Sequence, residues 1–318
     1  MAFRLQPDGT IEKEVIRLLQ EQMTRAMRAA LDRRHSSAER ARQARVACKK
    51  IRAALELVRG QAPKRSKREG RRFRNAARTL ADIRDQGAAL NTLQGLQRRA
   101  ADHALFDRRS FSRVRAAIAA QSRPQAGATV KPNRVLQTFC QDVNKARDRL
   151  EHFKIKESKT SGFAFLEVGF HRSYARARTA FSEVDKSVDE DVFHTWRKRT
   201  KTHLNQCHLL EPSCPRIMPP RVRALKHLAS LLGEEHDLVV LRERIGATVF
   251  GPRDQPTVKM ILQLIARRLA ALRSTGRVIG QPLFCEKPRA FITRVKTDWT
   301  VARLNFSHED SWKARTRK

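Results

Sequence analysis

Apolar residues recur every three or four positions along almost the whole chain, and that period predicts helices rather than strands. In the stretch 38–59, Ala44, Ala47, Ile51, Ala54, Leu55 and Val58 fall on one side of a helical wheel, while Arg42, Arg45, Lys49 and Arg52 fall on the other. The same pattern predicts helices over 11–34, 65–99, 107–122, 134–153, 163–184, 189–210, 221–245, 258–275 and 287–304. Segments rich in Pro and Gly punctuate them at 60–63, 124–132, 161–162, 212–220, 251–256 and 280–282. The chain has one Tyr and few β-branched runs, so no sizeable sheet is expected and the fold class is read as all-α.

The polar side of this pattern occurs twice. Arg42, Arg45 and Lys49 are answered 152 positions later by His194, Arg197 and Lys201. Positions i, i+3 and i+7 share a narrow strip of a helix, so each copy aims three cations in one direction. The offset persists beyond the strip: Arg74 corresponds to Lys226, Ala77 to Ala229, Leu80 to Leu232 and Asp85 to Asp237. An internal duplication into two half-bundles is expected, one over 1–159 and the other over 160–318. Asp85 and Asp237 are read either as carboxylates that hold a strip arginine in place or as surface ion pairs of little weight.

Charge gives the repeat a purpose. The formal net charge is +35 over 318 residues, a sum that opposes compaction and is best tolerated when a polyanion supplies the compensating charge. Residues 1–152 carry 35 Lys+Arg against 15 Asp+Glu, and the remainder carry 32 against 17, so the excess belongs to both halves rather than to one tail. Carboxylates four residues on that would neutralise the strip are missing, with Val46 following Arg42. A cationic stripe opposite an apolar one is ordinary on a surface helix, but this one is duplicated. Five scattered cysteines without a CxxC pair suggest neither a disulfide framework nor a zinc ribbon. The chain shows no leader-like apolar segment and no run long enough to span a bilayer, and the expectation is a soluble cytoplasmic protein that does not engage membranes.

Catalytic constellations are thin. His203, Cys207, His208 and Cys214 have a loosely metal-like spacing, which on a helix reads more readily as packing. Glu234, Glu235, His236 and Asp237 occupy consecutive helical positions and diverge in direction, which disfavours a two-metal centre. Neither a Walker loop nor GxGxxG precedes a helix. No enzyme activity, cofactor or metal is expected. Binding to a nucleic-acid phosphate backbone without sequence preference is the competing reading, although an aromatic content of 6% leaves little for base stacking.

Four segments carry a family resemblance: Arg42 to Arg52, Arg71 to Arg78 with Ile83, Arg84 and Asp85, Phe193 to Lys201, and Leu232 to Leu238. Together they resemble the conserved histidine α-helical domain, CHAD, over essentially the whole chain. The resemblance implies two pseudo-symmetric antiparallel four-helix bundles whose basic central surface binds inorganic polyphosphate without catalysis, and it implies polyphosphate granules as a location. It adds Arg172 and Arg176, flanking Tyr174, as a further basic helix turned to that surface. The expected binding set is therefore Arg42, Arg45, Lys49, Arg52, Arg74, Arg172, Arg176, His194, Arg197, Lys201 and Lys226, with Asp85 and Asp237 behind them. Arg42 stands where the family's first motif usually opens with His, which halves the histidine pair. The ExExK signature of the triphosphate tunnel enzymes to which some relatives are fused is absent, because Ile16 follows Glu12 and Glu14 where Lys is required.

Overall fold

The computed structural model describes residues 3–6, 10–100, 107–121, 132–151 and 162–315, with side chains throughout except at 82, 84–88, 99–100, 121, 151 and 305–315. Every regular element among them is helical. In chain order, α1 is Ile11–Leu31, α2 Ser37–Leu57, α3 Pro63–Thr79, α4 Ala81–Ala100, α5 Arg108–Gln121 and α6 Pro132–Glu151. Then follow α7 Ala164–Lys186, α8 Glu190–Leu210, α9 Met218–Gly246, α10 Gln255–Phe284 and α11 Pro288–Arg315. Short 3₁₀ turns at Val58–Gly60 and Pro252–Asp254 follow α2 and precede α10.

Local chemistry sets the ends that matter for the site. Ser36 caps α2 by accepting a hydrogen bond from the Glu39 amide, and Asp189 caps α8 by accepting one from Asp191. The helix expected over 65–99 is two helices. Its ladder ends at Leu80, where the freed Ala77 carbonyl accepts a 2.6 Å hydrogen bond from Arg45 of α2. Of the segments expected to break helices, 212–217 does so while 218–220 begins α9, and 280–282 lies within α10. Pro219 and Pro220 occupy the first turn of α9, where the missing amide costs nothing, and α10 runs on through Gly280 to Phe284. Gly280 is needed there because a Cβ would stand 2.5 Å from the Phe181 ring and 2.9 Å from Trp196.

The larger core joins α1, α2, α3 and α6 to α7, α8, the first half of α9, and α11, around Ile51, Phe170, Tyr174, Phe193 and Trp196. A second core packs Leu93, Phe111 and Ile118 of α4 and α5 against Leu238 and Leu241 of α9 and Ile261 and Ile265 of α10. α9 therefore serves both cores, one with each half of its length. α1 packs on α2 and α6, and α7 packs on α8 and α11.

A close helix crossing sets one end of the site. A Cβ on Gly169 of α7 would lie 2.0 Å from the Leu57 carbonyl oxygen, so only glycine lets α7 lie on the end of α2. α8 lies along α2 as well, tied by the buried Gln206, whose amide donates to the Ala53 carbonyl at 3.1 Å. α2 is thus flanked by α1, α3, α4, α7 and α8.

Candidate anion-binding site

Side chains of α2, α3 and α8, with the turn that follows α2, line a cavity of about 530 Å³. α2 contributes Lys49, Arg52 and Glu56, and the 3₁₀ turn after it contributes Arg59. From α3 come Ser66, Lys67, Arg71 and Arg74, and α8 adds Arg197, Lys198, Arg199, Lys201, Thr202 and Asn205. Ten cations face one carboxylate, and no aromatic side chain takes part. Lys49 and Arg52 of the α2 strip and Arg197 and Lys201 of the α8 strip, separated by more than a hundred residues, line the same cavity.

Arg52 is the centre of this arrangement. It is half-buried, and burial is the largest cause that draws its pKa below the ordinary arginine value. Repulsion from Arg74 of α3 comes next and Arg199 of α8 adds to it, while Glu56 acts in the opposite sense. A guanidinium remains charged under such pressure, so the site holds like charges together at a cost in stability.

Glu56 stands at the end of the cavity next to α7. Arg176 donates to it at 3.0 Å and Arg172 lies 3.6 Å away. Both arginines have pKa values lowered mainly by burial, with Arg59 repelling each and Arg199 also repelling Arg176. The α7 pair therefore belongs electrostatically to the same cluster.

Other expected residues stand elsewhere or have a different task. Arg42 lines a separate groove between α1 and α2 and is bidentate to Glu39, at 2.6 and 2.7 Å. The expectation that no carboxylate neutralises the strip fails here, because Glu39 lies three residues before Arg42 rather than four after it. Arg45 is half-buried and spends a donor on the end of α3. His194 stacks on His236, with ring centroids 4.5 Å apart and Nδ1 atoms 3.3 Å apart; burial, Lys198 and Arg197 lower its pKa. Lys226 is exposed on α9, near enough to His208 to depress that ring's pKa, and does not line the cavity. Asp237 lines an adjoining groove of about 460 Å³ together with Lys201, which is shared by both spaces. The side chain of Asp85 lies outside the described residues.

Arg59, Lys67, Arg71, Lys198 and Arg199 join the site without having been in the expected binding set, although Arg71, Lys198 and Arg199 fall in the segments that carry the family resemblance. A signal for the α3 members was present: Lys67, Arg71 and Arg74 stand at i, i+4 and i+7. Arg59 likewise follows the series Lys49, Arg52 and Glu56, in the 3₁₀ turn after α2. The two groups weighed for metal or acid–base work are otherwise engaged. His203 is buried between Ser173, 3.0 Å from its Nδ1, and the Arg221 guanidinium, 3.3 Å from its Nε2. Burial and that cation hold its pKa well below the usual histidine value. Glu234 pairs with Arg268 and Glu235 with Arg273, each at 2.8 Å, while His236 faces His194. Among the described residues no group of three or more His, Cys, Asp or Glu side chains converges as a metal site.

A family model described as CHAD domain matches residues 16–246, a span that runs from α1 to the end of α9 and includes every residue lining the cavity. The chain is also similar to the crystal structure of the CHAD domain from the plant Ricinus communis, with 16% identity over 93% of this chain and 94% of that one and a TM-score of 0.46. No curated protein matches the chain.

Proposed function

Because the chain belongs to the CHAD domain family, we propose that it binds inorganic polyphosphate, without catalysis, in the cavity between α2, α3 and α8. The observation that carries this reading is that Arg52, Arg74 and Arg199 share one cavity whose lining holds ten cations and one carboxylate. Phosphoryl oxygens along an inorganic chain accept charge-assisted hydrogen bonds from successive arginines and lysines, and the release of counterions supplies much of the affinity. Arg172 and Arg176 extend the tract if a phosphate competes with Glu56 for them. The same reading treats the chain as a duplication over 1–159 and 160–318, two pseudo-symmetric four-helix bundles. The equal lengths of α2 and α8, at 21 residues each, and their 152-residue correspondence support it. Residence in the cytoplasm at polyphosphate granules follows from the proposed ligand.

A cavity wall without aromatic side chains favours polyphosphate over single-stranded nucleic acid, for which stacking is a principal source of affinity. The test is titration with long-chain polyphosphate at several salt concentrations, alongside competition by duplex DNA at fixed salt. The affinity is expected to fall steeply with salt, and each cation removed should lower the slope by about one unit, by analogy with B-DNA. Replacing Lys49, Arg52, Arg74 and Arg199 together with alanine should abolish binding. Wild-type affinity in that variant would move the site elsewhere, and preference for duplex DNA would make nucleic acid the ligand.

A further inference from the structure

We propose that the groove between α1 and α2 is a second phosphoryl-binding site, which takes the continuation of a polyanion already seated in the central cavity; this rests on the polyphosphate reading above. α2 is the shared wall. Lys49 lines the cavity and its neighbour Lys50 lines the groove, a space of about 340 Å³. α1 supplies Arg25 and Arg28 to the groove, and α2 supplies Arg42 as well as Lys50.

The groove shows the same electrostatic mark as the cavity. Lys50 is half-buried with its ammonium 5.2 Å from the centre of the Phe3 ring, and burial followed by repulsion from Arg25 lowers its pKa. The carboxylates near it already hold cations. Asp32 accepts two 2.9 Å hydrogen bonds from Arg34, Glu39 is bidentate with Arg42, and Glu211 accepts from Arg4 at 2.8 Å.

A helix with its side chains is about 10 Å across, so a short oligophosphate fills one flank of α2 whereas a long chain reaches both. Engaging the second flank then becomes intramolecular, and affinity should rise with chain length without any new contact in the cavity. The experiment compares tripolyphosphate with long-chain polyphosphate on the full chain, using Arg28→Gln/Lys50→Gln, which removes two groove cations, and Arg52→Gln, which removes a cavity cation. Both altered groove positions are at least partly exposed; circular dichroism would verify the fold, and Arg28→Lys/Lys50→Arg would serve as the charge-retaining counterpart.

The groove variant should lose about tenfold in long-chain affinity, keep its tripolyphosphate affinity, and show a salt slope lower by about two units for the long chain only. Its charge-retaining counterpart should bind both probes like the wild type. Long-chain affinity within about twofold of wild type in the groove variant, or equal losses for both probes, would overturn the second site while leaving the cavity reading intact. If wild-type protein binds neither probe, the cavity reading itself fails and this one falls with it.

Discussion

Arg52 and Arg42 fall on the same polar side of one helical wheel, yet in the structure they line different spaces and are different reagents. Arg52 is pressed by burial and by two other arginines, whereas Glu39 raises the pKa of Arg42 and satisfies two of its donors. Arg52→Gln should therefore weaken tripolyphosphate binding about tenfold, the scale of one hydrogen bond to a charged group, and raise the thermal midpoint of the protein measured without ligand. Arg42→Gln should leave tripolyphosphate affinity within about twofold, because the lost donors were already spent on Glu39. Isothermal titration and a melt of each variant check both statements. Periodicity puts these two arginines on one strip and cannot separate them, since it reports the direction a residue leaves its helix and not the helix it meets. The Glu39 pair was nevertheless readable at i−3. Histidines supply a pH dependence at the same scale. His194, His203 and His208 all have pKa values lowered by burial first, so the unfolded chain binds more protons than the folded one below the ordinary value of 6.5. Stability is then fully present above about pH 6.5 and declines as the pH falls beneath it. Urea midpoints at two pH values on either side test this, and an unchanged or higher midpoint on the acid side would contradict it.

Among elements, the relation of α7 to α2 is the most demanding, because the crossing at Gly169 brings Arg172 and Arg176 to Glu56. Gly169→Ala meets backbone oxygen rather than a side chain that could swing aside. It should cost about 3 kcal/mol, at the upper end for overpacking, and should separate the α7 arginines from Glu56. Chemical denaturation measures the first effect, and a midpoint equal to wild type would mean that the crossing relaxes freely. Elements were legible where an amphipathic period runs uninterrupted, as in α1, α2 and α8. They were misread where tertiary contacts override local signals. The break at Leu80 shows no Gly or Pro and is accompanied by Arg45 taking the carbonyl of Ala77. The passage of α10 through Gly280 reverses an ordinary breaker signal, because Phe181 and Trp196 occupy the space a side chain would need.

At the scale of the whole molecule, a formal charge of +35 is carried on a body whose cations gather along both flanks of α2. Added salt should raise the thermal midpoint of the protein alone, because it screens a repulsion that opposes folding. The direction is opposite for the complex, where the same screening weakens binding. A salt series of melts with and without polyphosphate should therefore converge as ionic strength rises, and parallel curves would refute the electrostatic account. The all-helical class and the repeated cations were legible in the sequence because both are periodic. That α2 is walled on one side by α3 and α8 and on the other by α1 could not be read there, since it depends on how helices distant in sequence pack. Three guanidinium groups, one each from α2, α3 and α8, converge on a single space. A threaded anion would therefore act as a tie rod between segments that the chain itself joins only through long detours. Its mechanical effect would appear as slowed amide exchange along all three helices at once, and the polymer would count as a structural member of the protein as much as its cargo.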